Sequence, residues 1–133
     1  MTLFRNILRW LAAICFVLAG GAHFLRPDWY VAIVPPYFPA PQLLVLLSGA
    51  AEIAGGIGLC FRPLRAAAGW GLIALLLAVF PANLFMAQHP ETFQLAGWIL
   101  WARLPLQAVF IAWIWFVALQ GPARNQNGSP MAS

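Results

Sequence analysis

The sequence predicts an all-α fold: a transmembrane four-helix bundle with a proline-rich extracytoplasmic loop between its first two helices. The first observation is composition, because 63% of the 133 residues are hydrophobic and only 8% are charged, whereas soluble domains carry about 25% charged residues. The second is four separate apolar runs, each close to the roughly 20 residues that a membrane-spanning helix needs. Four such helices fill residues 1–120, which we predict to be one transmembrane domain.

The four predicted helices are delimited mainly by arginines, prolines and short polar turns. The fourth contains Pro105, and it must extend back past this proline because the remaining 15 or so residues would give only about 22 Å of helix. A kink is expected there. The predicted helices cover about residues 5–25, 42–61, 66–88 and 98–119.

Two segments lie outside these helices. Residues 26–41 contain five prolines and cannot form a continuous helix, so we expect a loop on the bilayer surface, with its aromatic side chains at the interface. Residues 89–92, HPET, are expected to form a short polar turn. Residues 121–133 are polar and rich in Gly, Pro, Ser and Asn, which predicts a disordered cytoplasmic tail.

The distribution of positive charge predicts the orientation. All seven basic residues are arginines and they are dispersed, so no nucleic-acid partner is predicted and the bilayer is the expected partner. The termini and the 62–65 hairpin share one face, which holds five arginines and no acid. Because cytoplasmic loops are enriched in basic residues, both termini are predicted to be cytoplasmic.

Glu52 lies in the middle of the second predicted helix, where a charge costs about 2.5–3.5 kcal/mol. Ser48 is four residues earlier and shares its face. We predict an ion pair between Glu52 and Arg103, within a polar pocket in the outer half of the bundle. The predicted ligand-binding residues are His23, Ser48, Glu52, Asn83, Arg103 and Gln107.

Structural roles are the alternatives for the same residues. Glu52 and Arg103 would then only hold two helices together, His23 would be solvated at the interface, and Asn83 would bridge a carbonyl that Pro81 leaves free. The two prolines within helices are expected to free the carbonyls of Leu77 and Trp101.

The remaining candidate chemistry is weak. Cys15 and Cys60 are far apart and form no CxxC motif, so we expect both to be small core hydrophobes. Two distant histidines predict neither a metal site nor a haem site. No catalytic residue is predicted.

Four segments together resemble the DoxX-like family of small four-span bacterial membrane proteins: GGAHFLRPDWYVAIVPPYFP, SGAAEIAGGIGL, the run ending in AVFPANLFMA, and RLPLQ. The resemblance covers roughly residues 15–110. The positions that it carries over are His23 with Pro35 and Pro36, Ser48 with Glu52, Pro81 with Asn83, and Arg103 with Gln107.

This resemblance implies a multi-pass protein of the bacterial inner (plasma) membrane, acting as a non-catalytic subunit or as the assembly partner of a membrane redox protein. It does not imply an enzyme, and no cofactor is identified; the implied ligand is a quinone or a lipid headgroup. Two alternatives stay open, a redox component that passes electrons to quinone and a small transporter, and homo-oligomers are compatible with each.

Overall fold

The computed structural model describes residues 2–93 and 96–120, and the regular secondary structure of these residues is helical, with no strand. A 3₁₀ turn at Arg62–Leu64 precedes α4, and a π turn at Trp115–Leu119 follows α7. The α-helices are α1 (Thr2–Leu25), α2 (Pro27–Val31), α3 (Pro41–Cys60), α4 (Arg65–Ala78), α5 (Phe80–Gln88), α6 (Pro90–Phe93) and α7 (Gly97–Ile114). The tail predicted to be disordered, 121–133, lies outside the described residues.

Four helical segments are long and apolar enough to cross a membrane: Leu3–Leu25, Pro41–Cys60, Arg62–Gln88 and Gly97–Leu119. The predicted all-α class with four long apolar helices is thereby confirmed. The bounds differ from the predicted ones by at most four residues. The third segment joins the 3₁₀ turn, α4 and α5, and the fourth joins α7 to the π turn.

The first two long helices, α1 and α3, pack antiparallel at very short range. A methyl group added at Gly20 would lie 2.5 Å from the Gly49 carbonyl oxygen, and one added at Gly56 would lie 2.9 Å from the Ala13 carbonyl oxygen. Only a residue without a side chain permits this approach. Glycines here therefore bring backbone against backbone, as small residues do where helices pack closely.

The other long helices continue this antiparallel arrangement. Gly58 of α3 faces Ala68 of α4, and Gly69 of α4 faces Ala118 in the π turn. The indole N–H of Trp113 donates a hydrogen bond to the Leu8 carbonyl at 3.1 Å. The last long helix therefore packs against the first. The termini of the described chain and the 61–64 turn consequently lie at one end, which we call the terminal end.

The main apolar core lies toward the terminal end. It includes Phe16, Leu59, Leu72 and Ile114, the last three fully buried. A second, smaller cluster at the opposite end is formed by Met86, Ala87 and Leu100. The space between these two clusters is where the polar side chains gather.

Prolines shape the helices differently from the predictions. The helix predicted over 66–88 is interrupted at Val79, which separates α4 from α5, because Pro81 lacks an N–H and its ring displaces the carbonyl four residues earlier. The helix predicted to run through Pro105 does so, because α7 contains this proline. The predicted HPET turn contains one helical turn, α6, and the 26–41 loop begins with α2.

The close approach of α1 and α3 predicts different outcomes for two adjacent glycines. Gly20→Ala should lower the stability by about 1–3 kcal/mol, because its methyl group would be forced against the α3 backbone. Gly21→Ala is the matched control, since a methyl there meets nothing within 4 Å and alanine favours helix by up to about 1 kcal/mol. Thermal unfolding midpoints in one detergent would measure both, and equal midpoints would contradict the described packing.

Candidate functional site

A cavity of about 590 Å³ lies between the long helices at the end opposite the terminal end. Most of its lining is apolar and comes from α1, α3, α4 and α7. The 26–40 loop contributes Ile33, Val34, Pro35 and Phe38 to one wall, and Pro35 is fully buried. All six side chains predicted to bind ligand line this cavity: His23, Ser48, Glu52, Asn83, Arg103 and Gln107.

His23 and Glu52 form the first polar cluster in the cavity. The Nδ1 atom of His23 lies 3.2 Å from Oε2 of Glu52 and 2.9 Å from the Ala19 carbonyl oxygen. Because a carbonyl can only accept, Nδ1 carries the proton in the bond to Ala19. Oε2 of Glu52 is buried and has no hydrogen-bond partner among the described residues, so it can still accept one from a ligand.

Tyr30 belongs to the same cluster, although its position in the sequence does not predict a role in the cavity. Its ring stacks on the His23 imidazole with centroids 3.8 Å apart. Burial raises the pKa of the Tyr30 phenol above its ordinary value, and the nearby Glu52 carboxylate raises it further. The phenol therefore stays protonated at neutral pH and is available as a donor.

Asn83 and Gln107 form the second cluster, which joins α5 to α7. Nδ2 of Asn83 donates to Oε1 of Gln107 at 2.9 Å, and Nε2 of Gln107 donates to the Leu76 carbonyl. Nε and Nη2 of Arg103 both lie 3.4 Å from Oδ1 of Asn83. Gln107 thus bonds a carbonyl close to the interruption at Val79, that of Leu76, whereas the sequence predicts that Pro81 frees the carbonyl of Leu77.

The predicted ion pair between Glu52 and Arg103 is wrong. Glu52 contacts His23 instead, because the close packing of α1 on α3 brings the imidazole within reach of the carboxylate. Arg103 is exposed and its guanidinium is directed to the side-chain amide of Asn83. The acid and the base predicted to pair therefore belong to separate clusters of one cavity.

Ser48 and the cysteines differ in part from expectation. The Ser48 hydroxyl donates to the Leu44 carbonyl at 2.7 Å, so only its oxygen lone pairs remain for another partner. Cys15 and Cys60 are both free, and Cys15 is exposed rather than a core residue. The Cys15 side chain lines the cavity.

Comparison with known proteins gives one positive result. The model of a family described as a domain of unknown function (DUF8561) matches residues 11–118. No curated protein and no solved structure matches the chain.

The second cluster predicts a specific loss of stability. Gln107→Leu should lower the free energy of unfolding by about 1–3 kcal/mol, because Asn83 and the Leu76 carbonyl would each lose a partner. Gln88→Leu makes the same chemical change at an exposed position and should shift the unfolding midpoint little. Similar midpoints for the two variants would show that the Asn83–Gln107 contact does not hold α5 to α7.

Proposed function

The chain belongs to the DUF8561 family, and we propose that it is an integral membrane protein whose cavity binds the headgroup of a quinone or a lipid. The proposed architecture is a four-span bundle of the DoxX-like type in the bacterial inner membrane. The proposed role is that of a non-catalytic subunit or assembly partner, which holds this ligand for another membrane protein.

The membrane placement is supported by what the helices expose. Large apolar side chains such as Leu18, Leu77 and Trp98 are 60–74% exposed. The helical segments that carry them are long enough to cross a bilayer. In water these side chains would form an extended unfavourable surface, whereas in hydrocarbon they need no cover. The arginines at the terminal end favour a cytoplasmic position for both termini.

The observation that carries the ligand proposal is the convergence of two polar clusters on one mostly apolar cavity. One cluster offers the Tyr30 phenol and an unpartnered carboxylate oxygen of Glu52. The other offers the Asn83 amide with the Arg103 guanidinium. Binding sites for small molecules commonly combine apolar walls with a few polar groups that fix orientation.

This arrangement suits a flat headgroup with oxygen atoms on opposite sides and an apolar tail. Tyr30 or Arg103 can donate to a quinone carbonyl, and Glu52 can accept a hydrogen bond from the hydroxyl of a quinol. The apolar walls then surround the ring and the first part of the tail. A lipid headgroup with hydroxyl and ester oxygens would use the same donors and acceptor.

Titration of the purified protein with a short-chain ubiquinone analogue tests the proposal. We expect saturable binding, and an alkylbenzene with the same tail but no oxygen atoms should bind at least tenfold more weakly, because each unmet polar group costs about 1–3 kcal/mol. Tyr30→Phe should weaken quinone binding several-fold while leaving the alkylbenzene unchanged. Isothermal titration calorimetry in one detergent would measure all three.

Gln88→Leu, outside the cavity, is the control and should bind the quinone analogue as the natural chain does. Equal affinities for the quinone analogue and the alkylbenzene would contradict a polar headgroup site. Competition by added phospholipid but not by quinone would assign the cavity to a lipid headgroup.

A further inference from the structure

Four arginines gather at the terminal end, on the side away from the cavity. Arg5 and Arg9 lie in the first turns of α1, Arg62 opens the 3₁₀ turn and Arg65 opens α4. Arg5 and Arg9 are four residues apart on one helix, and Arg62 and Arg65 are three residues apart where the 3₁₀ turn meets α4, so each pair of like charges lies close together. Such proximity of like charges favours a bound anion.

No acidic side chain lies near these arginines. The chain has only three acidic residues, and Asp28 and Glu91 lie in α2 and α6 at the cavity end. Glu52 faces the cavity, eight residues or about 12 Å of helix before the end of α3. The side-chain contact that Glu52 makes is with Nδ1 of His23, far from the arginines.

Helix ends do not balance them either. Nε of Arg9 donates to the Val117 carbonyl and Nε of Arg65 to the Leu59 carbonyl, both at 3.1 Å, at the last turns of two helical segments. However, two long segments begin and two end here, so their terminal partial charges of about +0.5 and −0.5 cancel. Within residues 2–93 and 96–120, no hydrogen bond engages the terminal Nη groups of Arg62 and Arg65.

An apolar groove of about 380 Å³ is lined by residues of α1 and α3 and by Phe61, and one end of it lies at the terminal end. Trp10 and Phe61, which flank Arg9 and Arg62 in sequence, lie at its end, and Ile14 and Ile57 continue it along the helices. Ala13 and Gly56, whose backbones approach closely, form its floor. The four large side chains are 49–58% exposed.

We propose that an anionic phospholipid binds at the terminal end, with its phosphate at Arg62 and Arg65 and one acyl chain in the groove between α1 and α3. Basic pockets between helices on the cytoplasmic side are known to hold anionic headgroups. Charge complementarity selects the anion, and the apolar groove that leads away from the arginines selects a lipid over a free anion. This lipid proposal rests on the membrane placement in the proposed function, and it does not depend on which ligand the cavity binds.

Native mass spectrometry of the detergent-purified full chain tests the proposal. Phosphatidylglycerol should bind more tightly than phosphatidylcholine with identical acyl chains. Arg62→Gln should weaken phosphatidylglycerol binding about fivefold and leave phosphatidylcholine unchanged, because one arginine near a membrane surface contributes about that much. Arg62 is exposed and its side chain caps no helix, so folding should be unaffected. Arg26→Gln, which removes the same charge at the cavity end, is the matched control.

Inorganic phosphate and Ile14→Trp distinguish a lipid from a free anion. Ile14→Trp should obstruct the groove and weaken phosphatidylglycerol binding, whereas millimolar phosphate should not displace the lipid. Displacement by phosphate together with no effect of Ile14→Trp would overturn the lipid assignment, as would equal affinities for the two lipids. A dimer that covers the groove would also overturn it.

The failure of the lipid site can be distinguished from the failure of the proposed function. Release of the chain from membranes without detergent would refute the membrane placement on which both depend. Retention of quinone binding without any preference for phosphatidylglycerol would refute only the lipid site.

Discussion

The close approach of α1 to α3 is the constraint on which the cavity depends. Gly20 and Gly49 let the two backbones meet, and that contact brings the His23 imidazole within 3.2 Å of Glu52. A larger side chain at either glycine would separate the helices and leave an acid in the protein interior without its nearest basic neighbour. The pairing of a buried polar group is therefore set by residues that carry no side chain.

The two halves of the molecule are joined by different means. Contacts between polar side chains at the cavity end link α1 to α3 through His23 and α5 to α7 through Gln107. The terminal end combines interlocked apolar side chains with side-chain-to-backbone hydrogen bonds such as that of Trp113 to Leu8. Polar groups in the cavity thus contribute to helix packing as well as to the proposed binding. Oε2 of Glu52 lies 3.2 Å from Nδ1 of His23 but accepts no hydrogen bond within the described residues, so it retains the capacity to accept one from a ligand.

The sequence predicted the helices and the set of cavity-lining polar residues better than it predicted which side chains contact each other. Hydrophobic run lengths predicted the four long helices, and the topology gathered six polar residues that line one cavity. The partner of Glu52 was wrong, because rotation and depth of neighbouring helices depend on glycine contacts that periodicity does not encode. Tyr30 was assigned to an interfacial loop, since nothing in that proline-rich segment indicated that α2 would stack its ring on His23.

With the membrane placement that we propose, the unequal distribution of charge along the helix axes would give the molecule a preferred direction of insertion. In the proposed membrane, an inverted copy would have to carry four guanidinium groups through hydrocarbon, at a combined barrier of about 10 kcal/mol or more. Reversal of the inserted chain would therefore be opposed by the arginines rather than by the apolar helices.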